Sequence, residues 1–339
     1  MKAIKDVTIA MLLSAILAII LIPGIAAAQE EAIPSLRLDR LPILPAFVGQ
    51  THAPAAEPSE YKVETVLDGL SFPWALAVLP NGDLILAERR NGLKIFSNGK
   101  LSEPLNGLPA ASEYPNYPAF GWFDVALDPD FEANRWVYFS YYAVAGDDPE
   151  ARGIARVSRA RLSQDQMSFE DLEIIIDGNG TQEIHFAKDG TLMVVGSGSF
   201  DNDPQDLGVA TGKLLRVNPN GSIPKNNPFL PNPDALPEIY TLGHRDISGF
   251  DTHPVTGEVW ISEHGPRGGD ELNIIRPGGN YGWKVISYGT EYSGDQIGDG
   301  TGVRDGMRQP AYFWRPGIAP SGLLFYTGEM FPEWEGSVF

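Results

Sequence analysis

From Tyr61 onward the chain reads as short apolar or alternating runs separated by Gly, Pro, Asn and Asp, the pattern of β-strands and turns. No amphipathic stretch of helical length stands out among them. One unit repeats: an apolar strand runs to a turn, and a second apolar strand leaves it. It occurs at Trp74–Ala87, at Phe123–Phe131 continuing into Trp136–Ser140, at Ile184–Val195 and at Ser248–Ile261, and a last copy opens at Gly322. The turns recur about every 50 to 70 positions, long enough for a four-stranded blade with variable loops. Asn81-Gly82 and Asp189-Gly190 are dipeptides suited to tight hairpins, because both residues tolerate positive φ.

This pattern predicts an all-β fold, a β-propeller rather than a sandwich. About five units are visible, and the chain stops at Val338-Phe339 inside an apolar strand. A propeller closes by pairing its last blade with its first, which removes exposed edges. The sequence is therefore expected to be truncated, with about five blades of a larger ring in residues 61–339.

The start of the chain has a different character. Lys2 and Lys5 precede an apolar run from Val7 to Ile22, Pro23-Gly24 breaks it, and Ala26-Ala27-Ala28 offers a cleavage site. Residues 1–28 are expected to be a signal peptide, with no stable membrane insertion after cleavage and a periplasmic or secreted product. Residues 29–60, rich in Pro and Ala, are expected to be a leader.

Charge narrows the partners. The formal net charge is −19, which repels nucleic acid and anionic lipid. No nucleic-acid partner is expected, and neutral ligands or cations suit the surface. The absence of cysteine excludes disulfides, thiol chemistry and thiolate metal sites.

The segments richest in chemistry are Leu242-Gly-His-Arg245, Glu263-His-Gly-Pro-Arg-Gly-Gly-Asp-Glu-Leu-Asn273 and Gly278-Gly-Asn-Tyr-Gly-Trp283. Gly265-Pro266 and Gly268-Gly269 make a loop whose carbonyls can turn toward a ligand. Asp270, Glu271 and the Tyr281 phenol add oxygens. Calcium takes six to eight oxygen ligands, so the cluster suits that ion. A Gly-rich turn with solvated acids is the plainer alternative.

These three segments resemble the signature of the soluble PQQ-dependent aldose sugar (glucose/sorbosone) dehydrogenases. Pro73-Trp74-Ala75-Leu76, Asp124–Phe131, Gly212–Pro224 and Ile318–Gly322 agree in the same order, so the likeness covers about residues 63–339. It implies a six-bladed β-propeller carrying pyrroloquinoline quinone (PQQ) and calcium on one face. It also implies hydride transfer from the anomeric carbon of an aldose to the quinone, giving a lactone. A sugar substrate and an external electron acceptor would be the partners, and a homodimer is left open.

Carried over by position, Arg245 matches the arginine at the quinone's reactive carbonyl, and Asp246 stands beside the cofactor where the family usually has Asn. The carbonyls of Gly265 and Pro266 match ligands of the cofactor calcium. Glu271 and Tyr281, with Asp270 nearby, match a second, structural calcium, and Tyr312 matches an aromatic near the substrate.

Three departures weaken the catalytic match. The family's general base, a His, aligns with Asn179, and an arginine aligns with Glu183. Losing a general base typically costs about 10²–10⁴-fold in rate. His185, inside the strand, is expected to lie away from the site. An aspartate expected within Gly196-Ser197-Gly198-Ser199 and a glutamine expected at Ala119-Phe120 are both missing. The alternatives are therefore a non-catalytic calcium- or carbohydrate-binding propeller, or a calcium-dependent lactonase-type hydrolase.

Overall fold

The computed structural model describes residues 44–51, 59–112, 121–146, 153–196 and 202–339. The expected signal peptide, most of the leader, Ala119-Phe120 and Ser197–Ser199 lie outside these residues. The described chain forms an all-β propeller of four consecutive four-stranded sheets, each an antiparallel meander. Blade 1 comprises β1 (Pro73–Val78), β2 (Leu84–Glu88), β3 (Gly92–Ser97) and β4 (Lys100–Leu101). Blade 2 comprises β5 (Trp122–Leu127), β6 (Trp136–Ala143), β7 (Ile154–Leu162) and β8 (Phe169–Asp177). Blade 3 comprises β9 (Gly180–Phe186), β10 (Leu192–Gly196), β11 (Lys213–Val217) and β12 (Ile239–Leu242). Blade 4 comprises β13 (Ile247–Thr252), β14 (Val259–Glu263), β15 (Asp270–Ile274) and β16 (Tyr312–Trp314).

The innermost strands line up side by side: β1 against β5, β5 against β9, and β9 against β13. The core consists of slabs between blades. Phe139, Val137 and Leu93 fill the space between blades 1 and 2, Tyr138, Leu192 and Val194 that between 2 and 3, and Met193, Leu214 and Ile261 that between 3 and 4. The fifth sequence unit begins beside blade 4, where Gly322 N–H donates to the Ser248 carbonyl at 2.8 Å. Its described part is a short antiparallel pairing of Leu324–Tyr326 with Ser337–Phe339.

The hairpin closing each innermost pair sits at one end of the blades. Leu79, Asp128, Ala187 and His253 each donate their N–H across the turn to the start of the next strand. Gly82 and Gly190 take φ of +91° and +79° there, as their dipeptides predict. At the opposite end, every innermost strand breaks register with its neighbour, between Pro73 and Ala75, between Trp122 and Val125, opposite Val194–Gly196, and between Ile247 and Gly249. Such bulges re-aim side chains, and here they do so four times around one mouth.

Part of the expected leader is tied down. Gln50 is fully buried, its side chain donates to the Pro310 carbonyl at 2.8 Å, and its own carbonyl accepts from Phe313 N–H at 3.1 Å. Residues 44–51 thus extend the outer edge of blade 4. No described helix is long and apolar enough to cross a membrane.

Candidate active site

Arg245 leads into β13 at the mouth. Its backbone N–H donates to Glu263 Oε2 at 2.9 Å, and Glu263 Oε1 meets His244 Nδ1 at 3.1 Å and Asn273 Nδ2 at 2.7 Å. His244 is buried, bonded through Nε2 to Thr241 Oγ1 at 2.8 Å and stacked on Tyr281 at 4.6 Å. Behind Arg245 therefore stands a packed polar wall that fixes its backbone. The guanidinium projects forward: Nη1 donates to the His264 carbonyl at 3.0 Å, and Cζ lies 5.6 Å from the centre of the Trp283 ring.

That carbonyl immediately precedes Gly265-Pro266. The structure so brings Arg245 and the 264–266 bend to one rim. Asp246 belongs to it too, with Oδ2 3.9 Å from Arg245 Nη1 and 3.5 Å from His264 Nδ1. The Asp246 carboxylate raises the His264 pKa, and the Pro320 carbonyl, 2.6 Å from His264 Nε2, works in the same direction. The bend needs glycine. A Cβ on Gly265 would sit 2.1 Å from the Gly268 carbonyl oxygen, and Gly268 and Gly269 take φ of +73° and +75°.

The other expected residues do not converge on that rim. Asp270, Glu271 and Tyr281 form no common oxygen cluster. Asp270 Oδ1 accepts from Gly265 N–H at 2.8 Å, while Oδ2 accepts from Ile318 and Ala319 N–H, each at 2.7 Å. Its carboxylate is spent stapling two loops. Strand alternation turns Glu271 to the other side of β15, where Oε2 accepts from Asn273 Nδ2 at 3.0 Å and burial beside Glu263 raises its pKa well above the usual range. The Tyr281 hydroxyl donates to the Ile274 carbonyl at 2.7 Å and accepts from Arg276 N–H at 2.9 Å. Among the described residues, no group of three His, Asp or Glu side chains is placed to hold a metal.

Tyr312 lies on β16, the outermost strand of blade 4, with its hydroxyl donating to the Thr51 carbonyl at 2.9 Å and its ring edge-on to Trp314. This peripheral place, with the hydroxyl already engaged, does not suit stacking on a substrate at the mouth.

His185 is where alternation puts it, between blades. It bonds Thr252 Oγ1 at 2.7 Å, stacks on Phe250, and burial lowers its pKa. The amide of Asn179 donates to Glu238 Oε1 at 3.0 Å.

The mouth holds groups to which the sequence alone assigned no site role. Arg89 is buried with its guanidinium 4.5 Å from the Trp74 ring centre and 4.2 Å from that of Phe123. Burial lowers its pKa to about 10. Asp124 is pushed up to about 6 by burial, against the pull of hydrogen bonds from Ile184 and Val125 N–H. Glu183 is pushed up to about 8 by burial and then by the Asp124 charge. Each stands in or beside a bulged segment or a strand-end loop, which repeat patterns do not reveal.

The glucose / sorbosone dehydrogenase family model matches residues 70–339. The chain belongs to that family. The aldose sugar dehydrogenase YliI of Escherichia coli is 37% identical over 296 residues, spanning 84% of this chain and 78% of its relative. Among solved structures, the apo form of the soluble aldose sugar dehydrogenase from Escherichia coli superposes with a TM-score of 0.73 at 34% identity, covering 81% of each chain. The PQQ-bound aldose sugar dehydrogenase from Streptomyces coelicolor superposes at 0.64 with 28% identity, covering 80% of this chain and 76% of that one.

Proposed function

We propose that the chain is a quinoprotein sugar oxidoreductase that takes an aldose to its lactone, with PQQ and calcium as cofactors. One observation carries the reading: the Arg245 guanidinium is pinned to the His264 carbonyl beside Gly265-Pro266, at the bulged mouth. The residues present fit a flat, anionic quinone. Arg245 offers a fixed charged fork, the Trp283 ring a planar neighbour, and the tight glycine bend close backbone approach. PQQ would supply a two-electron hydride acceptor, and calcium a counter-charge.

The chain's own residues would hold and orient. Arg245 would donate hydrogen bonds to the oxygen that gains charge, the term that usually dominates such catalysis. Glu263 and His244 would keep that fork aimed. The carbonyls of Gly265 and Pro266 would face the cofactor calcium, and Asp246 would modulate the charge around it. A second calcium would be held at Glu271, where Asn273 Oδ1 is buried without a partner. Export to the periplasm or medium, use of an external electron acceptor, and a ring of six blades belong to the same reading.

Reconstitution with PQQ and calcium, followed by an aldose assay with an artificial acceptor, tests it. Lactone formation with reduction of the acceptor is expected; absence of turnover and of any change in the quinone spectrum overturns it. Asn179 favours a second reading, a carbohydrate-binding propeller without catalysis, because its amide cannot accept a proton. Calorimetry showing sugar binding but no PQQ binding would select that alternative.

A further inference from the structure

Blades 1 and 3 are separated by blade 2, so side chains from both can meet only over the propeller axis. They meet at Glu183. Its carboxyl, on the bulged start of β9, accepts a hydrogen bond from Trp74 of blade 1 and lies within electrostatic reach of Arg89 of the same blade, Asp124 of blade 2 and Asp246 of blade 4. Asp124 is held rigidly: Oδ1 accepts from Val125 N–H and Oδ2 from Ile184 N–H, both at 2.8 Å. Glu183 is not so satisfied. Its Oε2 is buried and has no hydrogen-bond partner. Leaving a buried polar atom unpaired costs about 1–3 kcal/mol, and such an atom in a folded protein calls for an explanation, a catalytic role among them. Asn179, at the position the family resemblance gives to the base, is engaged by Glu238.

We infer that Glu183 is the proton acceptor of the sugar oxidation, with Oε2 receiving the proton of the anomeric hydroxyl. The inference rests on the dehydrogenase reading above. The O–H bond breaks and its proton passes to Oε2. The anomeric C–H bond breaks and its hydrogen leaves with both electrons for a quinone-class oxidant. A C=O bond forms, so the sugar is oxidised by two electrons and the quinone reduced by two. Burial, then Asp124, then Asp246 disfavour the charged carboxylate, while its own backbone N–H and then Trp74 favour it. Glu183 is thus mostly protonated at pH 7, and turnover must climb as the carboxyl ionises through about pH 8.

The test compares wild type, E183Q, E183D and D124N, each loaded with PQQ and calcium. Wild-type kcat/KM is expected to rise with pH along a limb centred near pH 8. E183Q should bind PQQ with the same spectral change, yet lose about 10²–10⁴-fold in kcat/KM together with that limb. D124N, relieved of one negative neighbour, should move the limb to lower pH. E183D keeps the acid and should retain a limb at reduced rate, which covers the case of an unstable E183Q. In the apoprotein, an infrared band of a protonated carboxyl should titrate near the same pH and vanish in E183Q. An E183Q enzyme as active as wild type, or one with the same limb, overturns this inference alone. A wild type that neither binds PQQ nor oxidises an aldose overturns the dehydrogenase reading with it.

Discussion

At one end of the blades each innermost pair of strands is closed by a hydrogen-bonded turn; at the other, every innermost strand departs from regularity. The hairpin end is held by local bonds. Asp189 Oδ1 accepts from Thr191 N–H at 3.1 Å, Asn81 Oδ1 from Asp83 N–H at 3.2 Å, and Asp128 Oδ1 from Asp130 N–H at 2.9 Å. These side chains close their own turns, and two of them also reach outward: Asp189 Oδ2 accepts from Arg216 Nη2 at 2.9 Å and Asp128 Oδ2 from the Tyr138 hydroxyl at 3.2 Å. The mouth does the opposite. Its bulges gather Glu183, Asp124, Arg89 and Asp246 from different blades, and burial shifts three of them away from their usual pKa. Bonding is mostly local and repeated at the hairpin end, and long-range and incomplete at the mouth.

The sharpest way to break this contrast is R245A. Removing the fork from the mouth should lower kcat/KM about 10²–10³-fold while the melting temperature barely moves. R245K should restore little, because an ammonium cannot reproduce the planar donor pair. Steady-state kinetics beside thermal unfolding decides. A large loss of stability with unchanged turnover would reverse the assignment.

A smaller effect concerns pH and stability. Folding raises the Glu183 pKa from 4.5 to about 8, so the folded state disfavours the charged form. Stability is then greatest below about pH 4.5 and declines as pH rises through about 8. Asp124 adds a decline between about 3.8 and 6. Urea unfolding across this range should show the fall in wild type and a flatter profile in E183Q. The hairpin end predicts the smallest change. Gly190→Ala, at φ +79°, should cost about 1–2 kcal/mol in unfolding free energy and leave the loaded enzyme's kinetics unchanged.

The two ends also differ in how far the sequence reveals them. Asn81-Gly82 and Asp189-Gly190 announce their turns because the chemistry that makes a hairpin lies within the dipeptide. The 242–283 segment was equally readable, since its glycines and Arg245 are contiguous and recur in a known family. Asp270 and Tyr281 looked like metal ligands by type, yet their oxygens are committed to backbone groups up to 49 positions away, as Asp270 Oδ2 is to Ala319 N–H. The placement of Tyr312 is hidden for a related reason: the Thr51 carbonyl that takes its hydroxyl lies 261 positions earlier in the chain. Glu183 was visible only as a departure from the family pattern. Its placement within reach of the Arg89 and Asp246 charges depends on bulges in separate blades, which strand alternation does not encode.

Arg245 and the 264–266 bend would together form one cofactor site. Titrating PQQ into the calcium-loaded protein, with the quinone absorbance as readout, tests it most directly. The account predicts saturable binding of one equivalent by wild type and affinity weakened by about tenfold or more in R245A, in keeping with loss of a charge-assisted hydrogen bond. Equal affinity in the two proteins, or no binding by wild type, would contradict it.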